Sequence, residues 1–318
     1  MQKMDQEILP EDILKCLKDK KLFVAKTLNL WPPLRLRLLY FMGLMGGYFS
    51  IKEYLQLLLP ATISKSKRDL QHLHHRIFVN KEVKRETSDF LSADGYFNLL
   101  GNKFGGLNYY ETIGLINEVI LLDQYHAEHF LKKDSVVIDA GANIGTFSIF
   151  AAKFATNGHV YAFEPVMKTF KLLKNNAKNY SNIACVHSGL GDVATRKNIV
   201  VRTGETASSV LKDSPFFKYF DNDADKIEQV AVTTIDHFVA NNNVSRLDFI
   251  KIDTEGYEEK ILQGAKKTIK KYKPVIAMSA YHNPDDKENL PRVLKKICPD
   301  YICELYKDHE EDFICRVK

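Results

Sequence analysis

The sequence predicts an α/β protein, a parallel sheet wound with helices on both faces, and three observations carry that expectation. From Val136 onward, short β-rich runs alternate with helical patterns. A glycine-cornered turn, Asp139-Ala-Gly141-Ala-Asn143-Ile-Gly145, follows the first of those runs, where a nucleotide-binding strand, turn and helix would place it. The 318 residues, 45% hydrophobic and 27% charged, have the makeup of a globular protein with one large domain and an extension, or with two domains.

The β-rich runs are "VVIDA" (136–140), "HVYAFEP" (159–165), "IACVHS" (183–188), "LDFIKID" (247–253) and "PVIAMSA" (274–280). Helical candidates lie between them, and "YEEKILQGAKKTIKKY" places Ile261, Leu262, Ala265 and Ile269 near a 3.6-residue period. Each crossover is long enough for a right-handed βαβ link. The stretch 197–234 interrupts the alternation, with two β-rich ends around a polar middle. Long ordered loops of this kind often cover a ligand, and a surface excursion without one reads the same way. "DYICELYK" and "DFICRVK" around "DHEED" predict a closing hairpin.

Residues 1–105 read as a helical amino-terminal region, and 106–318 as the α/β domain, which the helical segment Tyr109 to Phe130 leads into. The basic and apolar segment 34–49 fits a membrane surface, but a core helix or a contact within a homodimer explains the same stripe. The longest apolar run, 38–51, is too short for about 30 Å of hydrocarbon. The start of the chain is charged throughout and lacks a signal-peptide core. Five cysteines without a C-x-x-C pair read as a reducing compartment, and a cytoplasmic location follows as the expectation.

The formal charge of +5, from 45 basic and 40 acidic residues, is small beside the total and gives nucleic-acid binding no support. In the turn, the place where a dinucleotide fold needs its second glycine for a pyrophosphate is taken by Asn143, which would crowd the phosphates. The strand ends in Asp139, a carboxylate that repels phosphate but suits an ammonium. S-adenosylmethionine carries an α-ammonium, a sulfonium and no phosphate. Glu164, ending the second run, has the place from which a carboxylate accepts both ribose hydroxyls, and Asp192 in "GLGD" has the place for an adenine amino group. The cofactor candidates are thus Asp139, Gly141, Asn143, Gly145, Glu164 and Asp192. The alternative for each acid is a helix cap or turn residue.

With these residues in view, the chain resembles the FkbM family of S-adenosylmethionine-dependent methyltransferases. The matching segments are "VVIDAGANIGTFSIFAA", "VYAFEPVMKTFKLLKNN", "GLGD", "TASSV", "VTTIDHF" and "LDFIKIDTEGYEEKILQGA", spread over roughly residues 105 to 318. The resemblance implies a Rossmann-like class I methyltransferase sheet of order 3-2-1-4-5-7-6, its seventh strand antiparallel. It also implies O-methylation of a saccharide or other small hydroxylated metabolite.

The acceptor is expected at the carboxyl ends of the fourth and fifth strands. Asp253, Glu255 and His282 are the catalytic candidates there, Asp253 or Glu255 orienting or deprotonating a hydroxyl, and His282 offering a general base near neutrality. Glu255 could instead open a helix and complement its dipole. No metal is expected: these three have suitable donor types, but no clustered ligand pattern backs an ion. The fourth strand is not followed by an N-P-P-Y type motif and the chain has no Pro-Cys dipeptide, which disfavours base methylation. A protein or RNA acceptor, a non-catalytic S-adenosylmethionine-binding protein and a dinucleotide oxidoreductase are the competing readings.

Overall fold

The computed structural model describes residues 96–99, 102–105, 115, 118–119, 123–201, 209–214, 226–307 and 310–318. The chain divides into two compact units, Met1–Phe104 and Gly105–Lys318. The segment 34–49 and the helical reading of residues 1–95 lie outside the described residues. Strands β1 (Tyr96–Leu99) and β2 (Asn102–Gly105) pair as a small sheet at the boundary.

The second unit is built on a seven-stranded sheet. Its strands are β3 (Val136–Ala140), β4 (His159–Phe163), β5 (Ile183–Val186), β10 (Phe249–Ile252), β11 (Val275–Ser279), β12 (Tyr301–Tyr306) and β13 (Asp312–Val317). They lie in the order β5-β4-β3-β10-β11-β13-β12, which is 3-2-1-4-5-7-6 when the strands of this sheet are counted alone. Only β13 runs against its neighbours, antiparallel to both β11 and β12. This is the class I methyltransferase sheet.

All four residues of β10 are buried, as a central parallel strand covered on both faces requires. Ile138, Phe163, Ile250 and Ile252 pack with Ile261, Leu262 and Ile269 in the main core. Each such fully buried side chain contributes about 1.5–3 kcal/mol. The helices are α1 (Ala127–Phe130), α2 (Thr146–Phe154), α3 (Met167–Asn176), α4 (Ile235–Asn241), α5 (Glu258–Gln263), α6 (Lys266–Tyr272) and α7 (Asp286–Ile297).

The structure departs from the sequence reading in four places. The single helix expected from 257 to 272 is two, α5 and α6, broken at Gly264. A Cβ there would stand 1.9 Å from the Gly191 carbonyl oxygen, so the backbones touch where a helix surface was expected. The helix expected to run to Phe130 is also interrupted. Asp123 and His126 have positive φ, and the Asp123 carboxylate accepts from the backbone N–H of Ala127 (2.8 Å) and Glu128 (3.1 Å), starting α1 anew.

The excursion after β5 forms a four-stranded sheet in the order β6-β9-β7-β8, from β6 (Gly189–Leu190), β7 (Thr195–Val201), β8 (Ser209–Leu211) and β9 (Lys226–Thr233). Finally, Cys303 and Cys315 are register partners across the closing hairpin and form a disulfide, which the reducing-compartment reading did not anticipate. A hairpin makes neighbours of residues with no C-x-x-C spacing.

Candidate functional site

The turn after β3 is held by backbone geometry. Gly141 has φ +76°, and a Cβ there would lie 2.0 Å from the Asp253 carbonyl oxygen. Gly145 has φ +93°, and its missing Cβ makes room for Leu173 at 2.7 Å. Asn143 also has positive φ, a conformation that Asn tolerates better than most residues. The Asn176 side chain donates to the Ile144 carbonyl at 2.8 Å and fastens the turn to α3.

This turn borders a cavity of about 360 Å³, within the range of small-molecule sites. At one end its wall includes Gly141, Asn143, Thr146, Glu164, Pro165 and Leu190. The Glu164 carboxylate accepts from the backbone N–H of Asn143 (3.0 Å) and Val166 (2.9 Å). Burial raises its pKa to about 7 against the lowering effect of those two bonds and of Lys251. Each oxygen keeps a further lone pair for a hydroxyl.

The buried Oδ1 of Asn143 and Oγ1 of Thr146 have no hydrogen-bond partner among the described residues. Buried polar atoms are normally paired, so these two fit a ligand that brings donors. An ammonium and ribose hydroxyls are such donors. The wall therefore fits S-adenosylmethionine at Asn143, Thr146 and Glu164.

Asp139 is placed elsewhere than the sequence reading had it. Fully buried, it accepts from Ser148 Oγ at 2.6 Å and lies 3.2 Å from the Lys251 ammonium. Lys251 also donates to the Gly141 carbonyl at 2.7 Å. The cation held by Asp139 is thus the protein's own, and the pair braces the turn from beneath. Asp192 ion-pairs with Lys260 at 3.1 Å, and neither it nor Asp139 is part of the wall among the described residues.

The other end of the cavity is acidic and aromatic. Its wall includes Glu118, Tyr125, Asp253, Glu255, Tyr281 and Glu310. Asp253 and Glu255 reach it by a turn rather than by strand alternation, because β10 ends at Ile252 and Glu255 has φ +55°. Nor does Glu255 begin a helix, since α5 starts at Glu258. Tyr125 donates to Asp253 Oδ2 at 2.8 Å. Burial opposes ionisation of Asp253, but Lys251, His282 and the hydrogen bond from Tyr125 outweigh it and hold the carboxyl below its usual range.

His282 stands behind these carboxylates, 3% exposed, and is not on the wall. Its Nε2 lies 3.7 Å from Asp253 and 3.4 Å from Glu255, and its Nδ1 lies 3.1 Å from Glu258. Burial disfavours its charge, yet Glu258, Asp253 and Glu255 together raise its pKa to about 10. That shift favours the imidazolium, and with its ring off the wall His282 is placed to hold the neighbouring carboxylates rather than to meet an acceptor directly.

Asp253, Glu258 and His282 bring ligand atoms within 4.8 Å of one another, a donor set of the kind a divalent cation uses. The group is already knitted together: Glu258 Oε1 accepts from the backbone N–H of Thr254 (2.9 Å) and Gly256 (3.3 Å), besides His282. Sequence reasoning missed Lys251, Glu118, Tyr125 and Glu310. A lysine inside the apolar run "LDFIKID" was the available signal, because a buried lysine needs a buried carboxylate. The other three carry no local pattern.

The sheet, the glycine-cornered turn and the cavity at the strand ends define a class I methyltransferase. A family model, the methyltransferase FkbM domain, matches residues 139–313, more than half of the chain, and the protein belongs to that family. It is 26% identical over 189 residues to the hexuronic acid methyltransferase AglP of Haloferax volcanii, covering 58% of this chain and 70% of that one. It is 24% identical over 170 residues to the 31-O-demethyl-FK506 methyltransferase FkbM of Streptomyces tacrolimicus, covering 46% and 65%. It is 25% identical over 195 residues to the AMB antimetabolite synthetase AmbE of Pseudomonas aeruginosa, covering 52% of this chain and only 9% of that much longer protein. The family implies S-adenosylmethionine as methyl donor. No helix among the described residues is long and apolar enough to cross a membrane.

Proposed function

We propose that the protein transfers a methyl group from S-adenosylmethionine to a hydroxyl of a saccharide or other small metabolite. The observation that carries this reading is the Asp253 carboxylate, held ionised on the cavity wall across from the cofactor end. The names of two relatives, a hexuronic acid methyltransferase and a 31-O-demethyl-FK506 methyltransferase, agree with such an acceptor.

The sulfonium of S-adenosylmethionine supplies an already activated methyl group. What remains for the protein is alignment and the removal of one proton. Glu164 would accept from the ribose hydroxyls, while Asn143 Oδ1 and Thr146 Oγ1 would meet the donors of the amino-acid end. Asp253 would accept the hydrogen bond of the acceptor hydroxyl, orient it and take up its proton. An alcohol oxygen becomes strongly acidic as it gains the methyl group, so a carboxylate with a lowered pKa suffices as proton acceptor. His282 and Tyr125 keep that carboxylate charged and oriented.

The test is turnover with labelled S-adenosylmethionine against fractionated metabolites, with mass analysis of the product. A product labelled on oxygen supports the reading. Label found only on nitrogen, or none together with no cofactor binding in calorimetry, would end it.

A further inference from the structure

The acid-rich end of the cavity carries more than the methyl-transfer step uses. Asp253 is enough to take up one proton, yet Glu118 and Glu310 share its wall and Asp312 lies just behind, 2% exposed. These carboxyls come from three separate parts of the chain. Gln124 bridges two of them, its Nε2 donating to Glu310 at 3.1 Å and to Asp312 at 3.2 Å. Ser279 donates to Asp312 at 3.1 Å.

The nearby cations are otherwise engaged. Lys251 is held by Asp139 and the Gly141 carbonyl, and His282 by Glu258, Glu255 and Asp253. Among the described residues no lysine or arginine ion-pairs with Glu118 or Glu310. An aromatic surface completes the arrangement: Tyr281 is 37% exposed and lies on the same wall as Glu310. Carboxylates beside an accessible aromatic ring form the usual receptor for an organic cation.

We infer that the acceptor end selects an amine-bearing acceptor, an aminated saccharide, over a carboxylate-bearing one, with Glu118 and Glu310 as the specificity-determining residues. This rests on the methyl-transfer reading above and names the substrate class of the same site. It also separates this chain from its hexuronic acid relative, whose acceptor brings a carboxylate. That carboxylate would meet the ionised Asp253 on the same wall, and unlike an ammonium it cannot draw a proton off Glu118 or Glu310.

Crowded carboxyls hold protons until a cation arrives. Burial, then Glu310, Asp253 and Asp312, raise the Glu118 pKa to about 8, and burial, then Asp253 and Glu310, raise Asp312 to about 8. When an ammonium docks, a carboxyl O–H proton leaves to solvent and the carboxylate pairs with the ammonium. Binding therefore releases protons below about pH 8. The groups that face this equilibrium are Glu118, Glu310, Asp253, Asp312, Tyr125 and Tyr281, with Lys251 and His282 as the adjacent cations.

The experiment uses the full chain and three probes of one shape: glucosamine, glucose and glucuronate. S-adenosylmethionine affinity is measured first by calorimetry. Each sugar is then titrated at pH 7 with the cofactor product present, in two buffers of different ionisation enthalpy. Glucosamine is expected to bind about tenfold more tightly than glucose, with glucuronate weakest and proton release for glucosamine alone. In the double variant Glu118→Gln, Glu310→Gln the glucosamine advantage is expected to shrink to about twofold or less.

Glucuronate binding as well as glucosamine, or no preference for glucosamine up to about 50 mM, a range set by millimolar affinities, would overturn the inference. If the double variant does not fold, the wild-type ranking and proton release still decide. Failure of S-adenosylmethionine to bind would strike the methyl-transfer reading. Cofactor binding without the sugar ranking would strike this inference only.

Discussion

The two ends of the cavity are built by opposite means. The cofactor end is backbone: a turn with three positive-φ residues, two of them glycines, closes against neighbouring main chain and leaves two orphaned side-chain atoms facing inward. The acceptor end is side chain: carboxyls and phenols from positions as far apart as Glu118 and Glu310 converge on one wall. Backbone sites tolerate little substitution and serve one ligand. Side-chain sites can be retuned singly, which is how one fold takes many acceptors.

The sharpest way to break that contrast is Gly141→Ala. A Cβ at 2.0 Å from a backbone carbonyl cannot be relieved by rotating a side chain, and φ is +76°. A loss of about 3 kcal/mol or more in stability is expected, measured by denaturant unfolding. A stable, cofactor-binding variant would show that the turn is not set by backbone contact.

Next in size is Asp253→Asn, expected to lower turnover about 10²- to 10⁴-fold while cofactor affinity stays within about threefold. Steady-state kinetics and calorimetry separate the two. An equal loss in both would show that the Asp253 carboxylate serves the cofactor as well as the acceptor. Glu164→Gln should do the reverse, weakening S-adenosylmethionine about tenfold or more through loss of a charged acceptor, with kcat at saturation little changed.

Protonation links both ends to stability. His282 at about 10, Glu118 and Asp312 at about 8 and Glu164 at about 7 all lie above their ordinary values of 6.5, 4.5, 3.8 and 4.5. The native state then holds protons that the unfolded chain has released. The carboxyl contributions are lost between roughly pH 3.8 and 8, and that of His282 between 6.5 and about 10. The lowered pKa of Asp253 acts in the opposite sense, and only at acid pH. The thermal midpoint should fall from pH 6 to pH 10, by calorimetric scan. The smallest effect is expected from Asp192→Ala, which removes a half-exposed ion pair and should cost less than about 1 kcal/mol with cofactor affinity unchanged within about threefold.

The same contrast decides what could be read from the sequence. Strands β3, β4, β10 and β11 announce themselves because a buried parallel strand is a short apolar run between turn residues, a purely local property, and the half-buried edge strand β5 keeps the same β-rich composition. The cofactor turn is local too. Asp139 was misplaced because sequence places a residue at a strand end without saying which way it faces or which cation answers it, and Lys251 lies 112 positions away. Glu118, Tyr125 and Glu310 stayed invisible because nothing near them in sequence resembles a site; only the fold brings them together. The break at Gly264 and the disulfide are likewise contacts, not patterns.

The empty place where Gly141 lacks a Cβ is filled by the carbonyl of Asp253. Donor-side turn and acceptor-side carboxylate therefore abut through main chain, with no compressible side chain between them. Any adjustment of the turn as the nucleoside settles is passed directly to Asp253. The two substrates should then assist one another reciprocally, each tightening the other by the same factor. Paired titrations, each ligand measured with and without the other, would reveal that common factor.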